Sequence, residues 1–524
     1  MTIHFIKKTA AIFTVAASTL SPLFAQGDLT ESASAESIAP AAVESDTNSN
    51  PSIKIDSCFS GSLLRVNVTA QPYNFYQPWE KGATSARRGL GVLIKGKQVL
   101  VTAQLVADST YIELEMPGTG ETATGQTEVI DYEANLALII LQDEESDFLD
   151  GLKEQELDTS AKVGDMLDIW QVKDTGLPVN TACPIVEVAV QNYFLEGSSF
   201  LSYQAQGSLR YHAGSFVIPV AYNNKLAGLL LSYNSDEQIS RIIAAPIIER
   251  FLNDVADDDY VGFPTLGLAF ARTVDKQLRK RLKLDPNDGG VYVTIVVPGS
   301  TAERSGVKIG DVLLELDGHA VDIRGNYDHP DYGKVSLSHI IRDHEVGEEV
   351  KMTLLREGEK QELTSILTRK LPGDYLIDPY MFDRGPKFYI AGGIVFQELS
   401  RPYLQIFGND WRTRAPLRLL WALAHPNKYE EKGREKLVFI SRVIRTPATL
   451  GYESVSHAVV DEVNGRAINS LDDVAKAFES PEQPLHQIKL SEAPHELYLD
   501  VRLTDAVNGQ MKEAFRMDTL SRLD

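Results

Sequence analysis

Phe263 to Phe270 reads FPTLGLAF, and Gly289 to Val321 reads GGVYVTIVVPGSTAERSGVKIGDVLLELDGHAV. In the first run, Leu266-Gly267-Leu268-Ala269 sets a glycine between apolar residues just before a short strand. In a loop of that kind, backbone N–H groups turn outward and can receive the carboxylate at a polypeptide's C-terminus. In the second run, Gly289-Gly290 opens an alternation of Val291, Val293, Ile295 and Val297, the period of a half-buried strand. Ala302, Gly306, Val307, Gly310, Asp311, Leu313 and Gly318 follow at spacings that suit a short helix, a tight turn and a further strand.

Matched in order, these positions resemble a PDZ domain, here spanning 262–371. The resemblance implies that a partner strand adds beside the Leu268 strand, while a flanking helix selects its side chains. Val335 to His344 (VSLSHIIRDH) has helical spacing, which adds His339 and Ile340 to Leu266, Gly267, Leu268 and Ala269 as expected peptide-binding residues. Asp328, His329, Pro330 and Asp331 lie in an extended loop before it, and Val350–Leu355 with Gln361–Leu367 read as a hairpin. His329, His339 and His344 fit no zinc spacing, and no metal or cofactor is expected.

At 524 residues the chain is long enough for three or four domains, and 43% hydrophobic with 24% charged residues is a globular composition. A net charge of −22 repels phosphate backbones and anionic membranes, so nucleic acid is not an expected partner. Lys7 and Lys8 precede an apolar run from Thr9 to Phe24, the pattern of a signal peptide (1–25) cut after Ala25. Residues 26–54 hold few large apolar groups and read as a flexible linker. No later run is long enough to span a bilayer, so the expectation is a periplasmic or secreted chain without a stable span after cleavage. Cys58 and Cys183 would then meet an oxidising compartment; a disulfide and two buried thiols both remain open.

From Ile55 the chain shows many short alternating segments, among them Leu63–Val68, Leu90–Ile94, Val99–Thr102, Tyr111–Met116 and Leu136–Leu141. Met166–Trp170, Ile185–Val190, Phe216–Val220 and Leu226–Leu231 continue the series, which suggests an all-β barrel or sandwich. Ala245–Leu252 has helical spacing, and Val255–Tyr260 (VADDDY) is an acidic linker. Gly89 onward (GLGVLIKGKQVLVTAQLVADSTYIEL), VIDYEANLALIIL from Val129, KVGDMLDIW from Lys162 and IPVAYNNKLAGLLLSY from Ile218 resemble HtrA/Deg proteases. Gln71-Pro72-Tyr73 with Gln77-Pro78-Trp79 resembles the plant-type Deg subgroup. The resemblance implies a mainly β chain: a chymotrypsin-like double β-barrel over 55–254, then two α+β PDZ-like domains.

That family needs a serine nucleophile, a histidine base and an aspartate that orients the imidazole. The base position falls at Gln104 or Leu105, neither of which takes a proton near neutral pH. Between His4 and His212 the chain has no histidine at all. The orienting position is Asn135, and aspartate to asparagine costs about 10⁴ in turnover in the triad template. Ser215 stands near the nucleophile position, but Phe216 and Val217 replace the glycines that let N–H groups form an oxyanion hole. His212 and Ser215 could meet on a turn, with no carboxylate evident to orient the ring.

From Lys387 the PDZ-like pattern partly repeats over 385–505, with Gly392, Gly393, Ile394 and Val395 at its loop and a tail over 506–524. Val459–Val463 reads as a strand, Leu471–Phe478 as a helix, and Trp411–Tyr429 as an amphipathic insertion: core, lid or oligomer contact. The combined expectation is a pseudoprotease that binds protein C-termini or unfolded polypeptides as adaptor, scaffold or chaperone. The alternatives are an active serine endopeptidase using Ser215 and a purely structural oligomer. The family resemblance implies a homo-oligomer, a trimer or its multiples.

Overall fold

The computed structural model describes residues 59–143, 145–173, 175–209, 218–256, 260–479 and 484–524. The expected signal peptide, linker, Cys58, His212 and Ser215 lie outside these residues. Strands β1 (Leu63–Ala70), β2 (Ser85–Ile94), β3 (Gln98–Val101), β4 (Ser109–Glu115), β5 (Thr122–Asp131) and β6 (Leu136–Leu141) close a barrel in the order β1-β2-β3-β6-β5-β4. Helix α1 (Ala103–Val106) is a single turn between β3 and β4. A second barrel follows from β7 (Met166–Val172), β8 (Pro178–Asn192), β9 (Ser199–Gln206), β10 (Pro219–Tyr222), β11 (Lys225–Asn234) and β12 (Ile239–Ala244), in the order β10-β11-β12-β9-β8-β7. Closure leaves neither barrel an open strand edge. Helix α2 (Ala245–Ala256) seals the second barrel with Ile247, Ile248 and Phe251 buried. Cys183 is buried, and burial pushes its thiol pKa up.

The next domain starts at β13 (Leu268–Arg272) and continues through α3 (Lys276–Arg281), β14 (Val291–Val296), α4 (Thr301–Ser305), β15 (Val312–Leu316) and β16 (His319–Ala320). The hairpin β17 (Asn326–His329) and β18 (Gly333–Ser336), helix α5 (Ser338–Asp343), and the hairpin β19 (Glu349–Arg356) and β20 (Glu359–Ile366) complete it. The segment expected as an extended loop at Asp328–Asp331 is thus the tip of a hairpin, and the helix starts three residues later than Val335. The sheet order is β13-β14-β15-β19-β20, which leaves β13 on an edge. Ser300 caps α4 by accepting the Glu303 N–H.

The last domain holds two four-stranded sheets. β21 (Phe388–Ala391) and β22 (Ile394–Glu398) are followed by α6 (Arg401–Gln405), α7 (Trp411–Arg414), α8 (Leu417–Ala424) and α9 (Asn427–Glu430). The single amphipathic insertion expected over 411–429 is therefore three short helices, because Pro416 and Pro426 each interrupt the hydrogen-bond ladder. Then come β23 (Val438–Val443), β24 (Val460–Val463), β25 (Arg466–Ala467), α10 (Leu471–Glu479), β26 (Leu485–Leu490), β27 (Glu496–Asp500), α11 (Val501–Phe515) and β28 (Ser521–Arg522). The residues read as a tail belong to this domain: α11 buries Val507 and Met511, and β28 pairs with β21. Among the described residues no helix is long and apolar enough to cross a membrane.

The connection between β1 and β2 docks on this last domain. Trp79 sits edge-on to Phe388 (6.3 Å) and Phe515 (5.7 Å), and the Arg522 guanidinium lies 5.0 Å over Tyr73. The Gln71–Trp79 motif is thus a plug that ties the first barrel to the far end of the chain.

Candidate functional site

Helix α1 and the turn before β6 carry the two residues of the first barrel that the resemblance puts at triad positions. Asn135 has a left-handed backbone (φ 55°) and is 1% exposed. Asn and Asp tolerate that conformation better than most residues. The turn aims its side chain at the start of α1, where Asn135 Oδ1 accepts the Gln104 N–H at 2.9 Å. Thr102, the residue that should cap α1, makes no such bond. Arg87 fixes the other end by donating to the carbonyls of Gln104 (2.9 Å) and Ala107 (2.8 Å). Gln104 is half-buried beside Asn135, while Leu105 points into the core at 0% exposure. The structure therefore brings Gln104 and Asn135 together and separates Leu105 from them. Neither amide transfers a proton near neutral pH.

A strap that sequence reasoning missed joins the two barrels. Phe382, in the segment joining the last two domains, stacks near Tyr132 of the first barrel (4.4 Å) and Phe194 of the second (5.5 Å). Asp383 accepts the Asp108 N–H (2.7 Å), and Asp108 accepts the Asp383 N–H (2.9 Å). The Tyr132 hydroxyl also donates to Asp383. Tyr132 lies three residues before Asn135 and Asp108 four after Gln104, so the strap bridges the two barrels through the segments that carry these residues. Burial raises the Asp108 pKa, with the Asp383 carboxylate adding to the rise and the Asp383 N–H opposing it.

The Leu266–Ala269 loop is held through its carbonyls. Leu266 O accepts the Ala302 N–H (2.8 Å), and Gly267 O accepts the Val297 N–H (2.8 Å) and the Ser300 hydroxyl (3.3 Å). The N–H groups of the loop take no part in these three bonds. Gly267 has φ 71°, and a Cβ there would stand 2.2 Å from Ser300 Cβ, so only glycine fits. Helix α5 packs on β9 of the second barrel and is tied to segments that flank β13. Its start is tied to Gly325 O by the Leu337 N–H (2.9 Å), and the Phe270 ring covers Gly325. Its end reaches back to the start of β13, where Arg342 Nη1 donates to the carbonyls of Phe263 (3.3 Å) and Pro264 (3.2 Å). On α5, His339 and Ile340 are both 5% exposed. The His339 ring lies 5.6 Å from His329 and 6.4 Å from Tyr327, and burial holds its pKa down.

The same helix is wedded to the barrels. Arg342 lies 4.5 Å over the Phe200 ring and 3.9 Å from Glu133, a neighbour of Asn135. Asp131, at the end of β5, accepts the Tyr260 hydroxyl (2.5 Å) and pairs with Arg369 (3.2 Å). Arg369 also donates to Val261 O at 2.7 Å.

Two PDZ-domain family descriptions match this chain, over residues 264–367 and 377–518. Among curated relatives, "Putative protease Do-like 3, mitochondrial" of Arabidopsis thaliana is 24% identical over 80% of this chain and 72% of its own length. "Protease Do-like 4, mitochondrial" of Arabidopsis thaliana is 24% identical over 84% of this chain and 80% of its own. The chain belongs to the HtrA/Deg family. It is also similar to the solved structure of HtrA-type protease AlgWS227A with decapeptide, at 16% identity and TM-score 0.47, over 61% of this chain and 97% of that one.

In this Deg-family chain the second PDZ domain departs from the first where the sequences look alike. Gly392 and Gly393 (φ 61° and 110°) form the tight turn of the β21–β22 hairpin. The Gly392 N–H is taken by Asn508 Oδ1 of α11 at 2.8 Å, and Gly392 O accepts the Thr446 hydroxyl at 2.6 Å. Ile394 and Val395 begin a strand paired on both sides, with β21 and β23, and both are 0% exposed. Gly392, Gly393, Ile394 and Val395, expected at the loop of this domain, thus form a tight turn and the start of an interior strand: the Gly392 N–H is used internally and the strand has no edge. β21 directly precedes the two glycines, whereas Asn508 lies 116 residues beyond Gly392, outside any local motif.

Proposed function

We propose that this HtrA/Deg protein is a pseudoprotease that binds the C-termini or unfolded segments of other proteins through its first PDZ domain. The single observation that carries the reading is the Asn135–Gln104 bond. An amide stands where an orienting carboxylate is needed, and it contacts a residue that cannot act as base. Between His4 and His319 the only histidine is His212, so neither barrel's described residues contain one. The strap at Phe382–Asp383 further bridges the two barrels at Tyr132 and Phe194. The first PDZ groove, with an edge strand, a glycine loop and a flanking helix, is the remaining site of suitable shape. Proteins of this family assemble as trimers and multiples, and we extend that to this chain.

Two measurements test the proposal on the full chain. Casein hydrolysis and labelling by a fluorophosphonate probe should both be absent; hydrolysis that disappears on Ser215→Ala would establish the endopeptidase alternative. Fluorescence anisotropy with a peptide library should detect binding that needs the terminal carboxylate, and amidated peptides should bind at least tenfold more weakly. Export is tested by sequencing the mature N-terminus, which the proposed cleavage places after Ala25.

A further inference from the structure

β13 is an edge strand of five residues, and a ligand that extends the sheet there runs antiparallel to it with its carboxylate at the Leu266–Leu268 loop. At about 3.3 Å per residue, the ligand's last residue lies beside Leu268 and the residue four before it lies beside Arg272. Residues further upstream pass the start of α3. That end of the groove is basic. Between Arg272 and Lys283 the chain carries Arg272, Lys276, Arg279, Lys280, Arg281 and Lys283 against one carboxylate, Asp275. Two of these cations have structural duties. Arg279 donates to the carbonyls of Asp285 (2.6 Å) and Asp288 (2.8 Å), and Lys283 to that of Glu357 (2.8 Å). Asp275 is engaged as the cap of α3, accepting the Leu278 N–H at 2.7 Å. Arg272, Lys276, Lys280 and Arg281 are exposed, and among the described residues none of them has an ion-pair partner. Four unpaired cations at one end of a groove are unexpected on a chain of net charge −22.

We infer that the first PDZ groove selects polypeptide C-termini that carry acidic residues from the fourth position before the terminus upward. The inference rests on the peptide-binding reading above and adds the chemistry of the ligand. Local attraction and the whole-protein field have opposite signs here: the field of the whole chain disfavours an acidic peptide at long range. A preference for acidic ligands therefore reports the Arg272–Arg281 patch and not the general surface.

The test uses fluorescence anisotropy with the full chain and three fluorescent dodecapeptides that share their last four apolar residues. Their upstream eight residues are acidic, neutral or basic. Two or three exposed ion pairs predict Kd about tenfold lower for the acidic than for the neutral peptide at 50 mM salt. The difference should fall below about twofold at 500 mM salt, where screening is short-ranged. Lys276→Glu with Lys280→Glu should invert the order while leaving the neutral peptide's Kd unchanged, which shows that the variant is folded. Equal affinity for all three peptides overturns the inference and leaves the peptide-binding reading standing. Acid preference that survives the double substitution overturns the assignment to this patch. Failure of all three peptides to bind overturns both.

Discussion

Replacing Phe382 by alanine should loosen the strap that bridges the two barrels. Its ring has two partners from different barrels, Tyr132 at 4.4 Å and Phe194 at 5.5 Å, both at shallow interplanar angles of 31° and 30°. An aromatic pair contributes about 0.5–1.5 kcal/mol beyond buried area, so losing both costs about 1–3 kcal/mol of local stability. That corresponds to an opening roughly 5- to 150-fold more populated. Arg384 and Lys387 follow the strap directly, so trypsin reads the opening. When opening and closing are fast, cleavage tracks the population of the open form. The expected outcome is cleavage after Arg384 accelerated by that factor, with the main thermal transition shifted little. Phe194→Ala should reproduce part of the effect, and the double variant should show a coupling of about 0.5–1.5 kcal/mol. A cleavage rate within twofold of wild type in Phe382→Ala would mean that the carboxylate contacts of Asp383 alone hold the strap, and the ring argument would fail.

Asn135→Ala removes the acceptor for the Gln104 N–H and leaves a left-handed backbone on a residue that disfavours it; stability should fall by about 1–3 kcal/mol in denaturant titration, while Asn135→Asp keeps both. Gly267→Val should abolish peptide binding in the anisotropy assay while circular dichroism stays native, since a Cβ there meets Ser300 at 2.2 Å. Asp108 has a raised folded-state pKa, so the folded state gains from its protonation: its contribution improves as pH falls through the folded pKa toward the ordinary aspartate value of about 3.9. Asp108→Asn should therefore raise Tm at pH 7.5, and the advantage should vanish near pH 4. Arg369→Met leaves Asp131, 1% exposed, with an unpaired buried charge and should destabilise by about 3–5 kcal/mol; Asp131→Asn in the same chain should recover part of it.

The local patterns in the sequence carried the barrels and the first groove. Alternation marked β1, β2, β6 and β11, and the glycine of Leu266–Ala269 marked its loop. Three strands escaped. β5 (TATGQTEVID) is half-exposed and polar, so it lacks an apolar stripe. β9 (SFLSYQAQ) is buried on both faces because α5 packs against its outer side, so it does not alternate; its Ser202 is buried and donates to Ile242 O at 3.0 Å. β12 (ISRIIA) sits too close to the helix that follows to stand apart from it. The two triad positions were legible as residue types, but their mutual bond was not, nor was the strap. Phe382 and Asp383 sit 247 residues or more beyond Asn135 and carry no periodic signal. Contacts at such separation follow from packing, not from spacing along the chain.

The two PDZ domains show how one local pattern can support opposite outcomes. Both present glycine followed by apolar residues before a strand, yet β13 ends a sheet and β22 lies inside one. The difference comes from what covers the strand that follows the loop. In the second domain β21 covers the edge that a ligand would use, β28 covers β21, and Asn508 of α11 takes the loop's donor. In the first domain no such strand exists among the described residues, and the segment before β13 is pinned at Thr265 to Thr368. The first domain is in turn anchored to the barrels by Arg342 and Arg369, which meet Glu133 and Asp131 on the turn that also carries Asn135. Breaking either buried pair costs several kcal/mol, more than a hinge motion at thermal energies supplies. A groove mounted this way keeps one orientation to the barrels, so a bound client would always leave it past the same basic end of β13.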